Sequence, residues 1–278
     1  DALLSPRRRL LLQELAAAAL AAACGERAAA PAAVRFGGPT MGSTYTVKIA
    51  TRGLADATLA AAQSAVATAL ADVVGRMSHY DAASEVSRLN RHPVGEPFAA
   101  SAPTLRVFAA AQAVRAASGG AFDVAVGRAV DEWGFGPSER QRRVLPAQSV
   151  QALQHLHRDG AFVLDMRAGT LTRHTLAQAN LSGIAKGYGV DRAAQALDAL
   201  GITDYMVEVG GEIRTQGHNA EGRPWQLAVE RPDAMPRRAL RVVPLAGKSL
   251  ATSGDYRNFF VHEGRRYSHE IDPASAAP

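Results

Sequence analysis

A single cysteine, Cys24, stands among 278 residues. It excludes a disulfide framework within the chain and any metal site built from several thiolates. Aromatic residues make up only 6% of the chain and do not interleave with basic ones, so the stacking platforms that grip single-stranded nucleic acid are not visible. No repeat of fixed period runs through the sequence, which argues against solenoids and propellers. Past the first 24 residues no stretch reads as long or apolar enough to cross a bilayer. The charge excess is small: 31 Lys and Arg against 26 Asp and Glu give a formal +5. Arg7, Arg8 and Arg9 carry part of it, and the rest is scattered in pairs such as Arg142 with Arg143 and Arg265 with Arg266. Scattered pairs read as solvated surface, not as a footprint for nucleic acid or membrane.

What the chain does have is apolar content, 47%, enough to bury a full core as one large domain or two small ones. Its first 24 residues, ending "SPRRRLLLQELAAAALAAAC", run from a basic start through an apolar stretch to small residues before Cys24. This is the shape of an export signal, of twin-arginine or lipoprotein type, although Leu20 lies four residues before Cys24 instead of the usual three. An Ala-rich amphipathic helix is the other reading. Residues 25–33, small and polar, read as a linker, and residues 34–278 as the folded domain. Asp1 in place of Met suggests a front that continues further. The expected location is the periplasm, with the protein either soluble there or held to the inner membrane by a lipid on Cys24.

Within the domain, "TYTVKIA" alternates as a half-buried strand, and the stretch from Leu54 has the 3.6-residue spacing of a long helix. A second helix follows Pro103 to Ser118, a loop-rich stretch runs from Phe122 to Gly136, and a short helix follows Pro146. Two short strands are expected around Phe162 and Leu171, and a third long helix near Ile184. Strands then dominate: "YMVEV", "EIRTQG", "WQLAVE", "ALRVVPL" and a closing hairpin turning at Glu263 and Gly264. Helices first and strands later predict an α+β fold, helices packed on a mainly antiparallel sheet, and not a doubly wound one.

The most informative stretch is "NLSGIAKGYGVDRAAQAL", from Asn180. Gly187 and Gly189 in the opening turns of a helix cost about 1 kcal/mol each relative to alanine, so something must approach that backbone closely. Ser182 as a cap, free amides and Lys186 would together suit a phosphate; helix packing through glycine, with Lys186 on the surface, is the alternative. The stretch is neither a Walker A loop nor a Rossmann fingerprint. Gly210 and Gly211 read as a tight turn, or as a place where a ligand ring lies against backbone. Met41 reads as core filler. Asp123 reads as a helix cap or as an acceptor for a heterocycle. In the closing strand Tyr267, His269 and Ile271 share one face, Ser268 and Glu270 the other, and Asp272 ends it before Pro273. His269 is either a satisfied hairpin histidine or a general base.

In order along the chain, "TMGSTY", "MSHYDAASEVSRLN", "AFDVAVG" with "WGFG", "NLSGIAKGYGVDRAA", "VGGEIRTQG", "ATSGDYRNFF" and "YSHEIDP" resemble the FAD:protein FMN transferases, the ApbE-type flavin transferases. The resemblance spans Val34 to Pro278. It implies a transferase that cleaves FAD with magnesium assistance, attaches FMN to a threonine or serine hydroxyl of a membrane respiratory flavoprotein subunit, and releases AMP. A FAD carrier without transfer, and a FAD pyrophosphatase, are the competing functions. By the same resemblance, flavin contacts fall on Met41, Tyr80, Ala121, Phe122, Asp123, Asn180, Lys186 and Ile271. Backbone carbonyls of Gly183 or Ala185 would face magnesium, with side-chain ligands expected beyond Pro278. His269 would help deprotonate the acceptor hydroxyl, with Asp272 beside it. Asn180 stands where many members carry Asp and brings no charge. Glu270 replaces a residue that is usually apolar.

Overall fold

The computed structural model describes residues 33–278 except 52, 139, 158–159, 233–235 and 237. The export signal read over residues 1–24, Cys24 included, and nearly all of the linker read over 25–33 lie outside the described residues. The described chain runs β1 (Ala33–Thr40), β2 (Ser43–Ala50), α1 (Asp56–Met77), α2 (Glu85–Arg91), β3 (Pro97–Ala99), α3 (Ala102–Ala117), α4 (Gly127–Glu132) and α5 (Ala147–Gln154). It continues with β4 (Phe162–Asp165), β5 (Thr170–Arg173), α6 (Ser182–Asp198), β6 (Tyr205–Val209), β7 (Glu212–Gln216), β8 (Trp225–Glu230) and β9 (Ala239–Leu245). Last come β10 (Ser249–Leu250), β11 (Phe259–His262) and β12 (Arg265–Ser268).

The main sheet has the order β1-β2-β6-β7-β10, with every neighbouring pair antiparallel. One face of it is apolar at alternate positions, Val47 and Ile49 on β2 and Tyr205, Val207 and Val209 on β6, as a half-buried strand requires. On that face lie α1 and α6, burying Ala62, Val66 and Leu70 from one and Val190, Ala193, Ala194 and Leu197 from the other. Each fully buried valine or leucine contributes about 1.5–3 kcal/mol relative to exposure. The opposite face of the sheet is covered near Met206 by Trp225 and Leu227 of β8 and Leu245 of β9.

The lower half of α1 turns its stripe, through Val73 and Met77, into a second core shared with α2, α3, the small sheet β3-β5-β4 and the start of α6. A third cluster joins α4 to the β11–β12 hairpin through Trp133, Phe135, Phe260, Tyr267 and Ala276. The Trp133 indole N–H donates to the Ala276 carbonyl at 2.9 Å, tying the last described residues to α4.

The α+β expectation holds. Four finer expectations are corrected. Helix α1, 22 residues with an 18-residue stretch of mean hydropathy 1.4, is long and apolar enough by length and composition to cross a membrane; its Ala62, Val66, Leu70, Val73 and Met77 stripe is instead packed into the protein. The loop-rich stretch after Phe122 contains α4. Ser182 does not cap α6; it is the helix's first residue, and Leu181 holds the cap position. The closing strand stops at Ser268, so His269 follows it, with its amide donating to the Asn258 carbonyl at 3.0 Å.

Candidate functional site

Two hairpin tips meet above α6. Thr40 pairs with Ser43, which leaves Met41 and Gly42 as a two-residue turn, and both take positive φ, 49° and 69°. Such turns want Asn or Gly, and a methionine held at positive φ stores backbone strain of the kind that clusters at binding sites. The second tip is Gly210 and Gly211, closed by the Val209 and Glu212 pair, again both at positive φ. The Gly210 amide donates to the Thr44 carbonyl at 3.0 Å, joining the tips. Met41 is half-buried and reaches across α6, while Lys186 extends its side chain past Gly210.

Lys186 does not float on the surface. Its Nζ lies 2.8 Å from Glu212 Oε1 and donates to the Gly210 carbonyl at 3.4 Å. The first turn of α6 is partly committed: the Ser182 amide donates to Asn180 Oδ1 at 2.9 Å, and the Ile184 and Ala185 amides both donate to the Leu181 carbonyl. Among the described residues that leaves the Gly183 amide of this turn open for a ligand. Asn180, one residue before the cap position, thus satisfies the Ser182 amide with its side chain.

Phe122 packs against this turn, its ring 3.0 Å from where a side chain on Gly183 would begin, so Gly183 makes room for the phenyl ring. Asp123 is tied on both oxygens, accepting from the Arg115 Nε at 2.7 Å and from the Ala125 amide at 2.9 Å. Its carboxylate thus fixes the loop that carries Phe122 and Ala121; Ala121 itself is exposed. The Asn180 amide donates to the Val124 carbonyl at 2.8 Å, locking that loop to α6. Met41, Phe122, Asp123, Asn180, Gly183, Ala185 and Lys186 are in this way assembled around one helix start.

Tyr80, His269 and Ile271 gather instead around Phe135. The Tyr80 hydroxyl donates to the Phe135 carbonyl at 3.0 Å while the residue stays exposed. The exposed His269 ring stands edge-on to the Phe135 ring at 6.5 Å, and Ile271 packs into the cluster below. Arg142 lies over the same phenyl ring at 4.8 Å. Asp272 is spent on its own turn, accepting from the amides of Ala274 and Ser275 at 3.1 Å each. The Ser275 hydroxyl and these amides hold its carboxyl below the usual aspartate value. The half-buried His79 packs ring to ring with Tyr80 at 4.2 Å. Burial pushes the imidazole down to about 4, against a smaller upward pull from Asp131, and its Nε2 has no hydrogen-bond partner among the described residues.

Sequence reasoning missed Phe135 and Glu212, because both act through their surroundings: one presents a backbone carbonyl and a ring edge, the other closes a hairpin. The magnesium expectation fits these residues poorly. Among the described residues no three His, Cys, Asp or Glu side chains converge, and Gly183 and Ala185 lie in helical turns, where carbonyls are engaged by the next turn's amides. Near-octahedral oxygen coordination needs more than these two carbonyls.

Set beside known proteins, residues 41–278 match the model of the ApbE family. The FAD:protein FMN transferase of Vibrio cholerae serotype O1 is 41% identical over 247 residues, covering 88% of this chain and 73% of the relative. That of Haemophilus influenzae is 39% identical over 250 residues, covering 88% and 72%. Among solved structures, the flavin transferase ApbE from Vibrio cholerae superposes with a TM-score of 0.79 at 39% identity, over 89% of this chain and 78% of that one. The ApbE protein of Thermotoga maritima gives 0.80 at 26% identity, over 89% and 78%.

Proposed function

This chain belongs to the ApbE family, and on that footing we propose that it transfers FMN from FAD to an acceptor protein. The observation that carries the reading to a site is the Lys186 ammonium, held between Glu212 and the Gly210 carbonyl beside the first turn of α6. Phosphoryl transfer asks a protein mainly for positioning and charge neutralisation, and a fixed cation beside an open helix amide supplies both at a diphosphate. The strained Met41 and the Phe122 ring offer apolar edges to the isoalloxazine, and Tyr80 borders the Phe135 group.

In the reaction, a threonine or serine hydroxyl oxygen of the acceptor forms a bond to the phosphorus on the FMN side, and the bond from that phosphorus to the AMP phosphate breaks. The hydroxyl proton goes to His269, which is solvent-facing and reachable by a protein substrate. AMP leaves with the negative charge, which Lys186 offsets. The acceptor is a subunit of a membrane respiratory flavoprotein, and the signal pattern in residues 1–24 directs the enzyme to the periplasm.

The test is to incubate the protein with FAD, magnesium and a peptide bearing a threonine. Covalently fluorescent peptide together with AMP is the expected outcome. Bound FAD without labelled peptide would replace transfer by carriage, and FMN with AMP in the absence of peptide would replace it by hydrolysis.

A further inference from the structure

Glu212 sits at the last rung of the β6–β7 ladder, opposite Val209. One of its oxygens, Oε1, meets Lys186 Nζ at 2.8 Å. The other, Oε2, is closed off from solvent and meets no donor among the described residues. A shielded carboxylate oxygen without a donor costs the fold free energy, so stabilising the fold does not account for this side chain. Among the described residues its side chain is paired with the lysine.

The geometry points to Glu212 as the positioning residue for Lys186; this rests on the reading of Lys186 as the diphosphate contact. An ammonium has three N–H donors on a flexible stem. Glu212 Oε1 takes one and the Gly210 carbonyl takes a second, at 3.4 Å, which leaves the third for a phosphate oxygen. Both acceptors belong to one hairpin whose backbone is fixed by the β6–β7 ladder and by the hydrogen bond from the Gly210 amide to the Thr44 carbonyl. The rigid strand thus holds the long side chain in one orientation, and less rotamer freedom remains to be lost when the ligand binds. In this role Glu212 acts through Lys186 and not by its own contact with FAD or the acceptor.

The test is a double-mutant cycle on FAD affinity, read by flavin fluorescence titration, with Glu212→Gln, Lys186→Ala and both together. Loss of a charge-assisted contact predicts that Glu212→Gln weakens FAD binding about fivefold with Lys186 present and leaves it unchanged once Lys186 is alanine. Glu212→Asp, which keeps the charge on a shorter arm, falls between wild type and Glu212→Gln, whatever small change in melting temperature accompanies either. Unchanged or tighter FAD binding in Glu212→Gln, with clear loss in Lys186→Ala, overturns the positioning role alone. Equal losses from Glu212→Gln in both backgrounds overturn it too, by showing that Glu212 acts independently of the lysine. No loss in Lys186→Ala removes the diphosphate reading itself, and this inference with it.

Discussion

The terminal methyl of Met41 occupies the space beside Gly189 that a side chain there would need: a Cβ on Gly189 would stand 2.6 Å from Met41 Cε, with Leu70 Cδ2 at 3.5 Å. Gly187, one residue pair earlier on the same helix, has among the described residues nothing beyond its own stretch of helix within 4 Å of its missing Cβ. The two glycines therefore answer to different constraints. Replacing Gly187 by Ala should raise helix stability by about 1 kcal/mol, whereas Gly189→Ala should push Met41 out of its seat and lose about 1–3 kcal/mol through overpacking. Thermal unfolding of the two variants checks the contrast. Matching shifts of the same sign would show that Met41 is not seated as described. FAD titration adds a second reading, since open space at Gly187 that serves the ligand would be filled by the added methyl.

The layout of α1, α6 and the strands after Tyr205 was legible in the sequence because each carries its period over many residues, and a buried stripe or alternation repeats itself. Helix α4 was not legible: six residues between glycines show too little period, and its place is set by Trp133 and Phe135 packing on a hairpin more than a hundred residues later. The even choice at Gly187 and Gly189 could not be decided by spacing, since helix packing and ligand approach ask for the same residue. Coordinates separate them. Lys186 was recognisable as a phosphate candidate, but its partner Glu212 was not, because pairing across a helix and a hairpin tip leaves no local signature. Met41, read as filler from composition, is a strained turn residue as well as a packed one.

His79 predicts a pH dependence of stability. Its imidazole is pushed down to about 4 by burial, from an ordinary value of 6.5. The folded state therefore binds fewer protons than the unfolded chain between those values. Stability from this residue is full above pH 6.5 and declines as the pH falls toward 4, by a total of order 3 kcal/mol. Denaturant unfolding at pH 7 and pH 4.5 should show the loss in the wild type and a much smaller one in His79→Phe. An unaltered pH dependence in the variant would place the acid sensitivity elsewhere.

Asp272 was expected to sit beside the catalytic histidine, and its carboxylate is committed to the turn over Ala274 and Ser275. Asp272→Asn keeps one acceptor oxygen and gives up the charge, so about 1 kcal/mol of stability should go. Because its carboxyl is held below the usual value, the stabilisation it supplies is present above that usual value and fades as the pH drops through the lowered one. Turnover measured well below the melting temperature should change little. A loss of turnover of a hundredfold or more, with melting unchanged, would return Asp272 to the reaction.

His269 carries the sharper prediction. Its ring stands at the edge of Phe135 and its amide is tied to Asn258, so the backbone position survives removal of the imidazole. In the proposed site the phosphate contact of FAD is at Lys186 and the first turn of α6, which the histidine does not hold. His269→Ala should therefore leave FAD affinity within about twofold of wild type while peptide labelling falls by about 10²–10⁴, the range of a lost general base. Lys186→Ala should do the reverse, weakening FAD first, with Arg167→Ala on the exposed β4–β5 turn as the neutral control. Parallel loss of affinity and labelling in His269→Ala would make the histidine a wall of the flavin site instead of its base. The proton would then have to leave by another group.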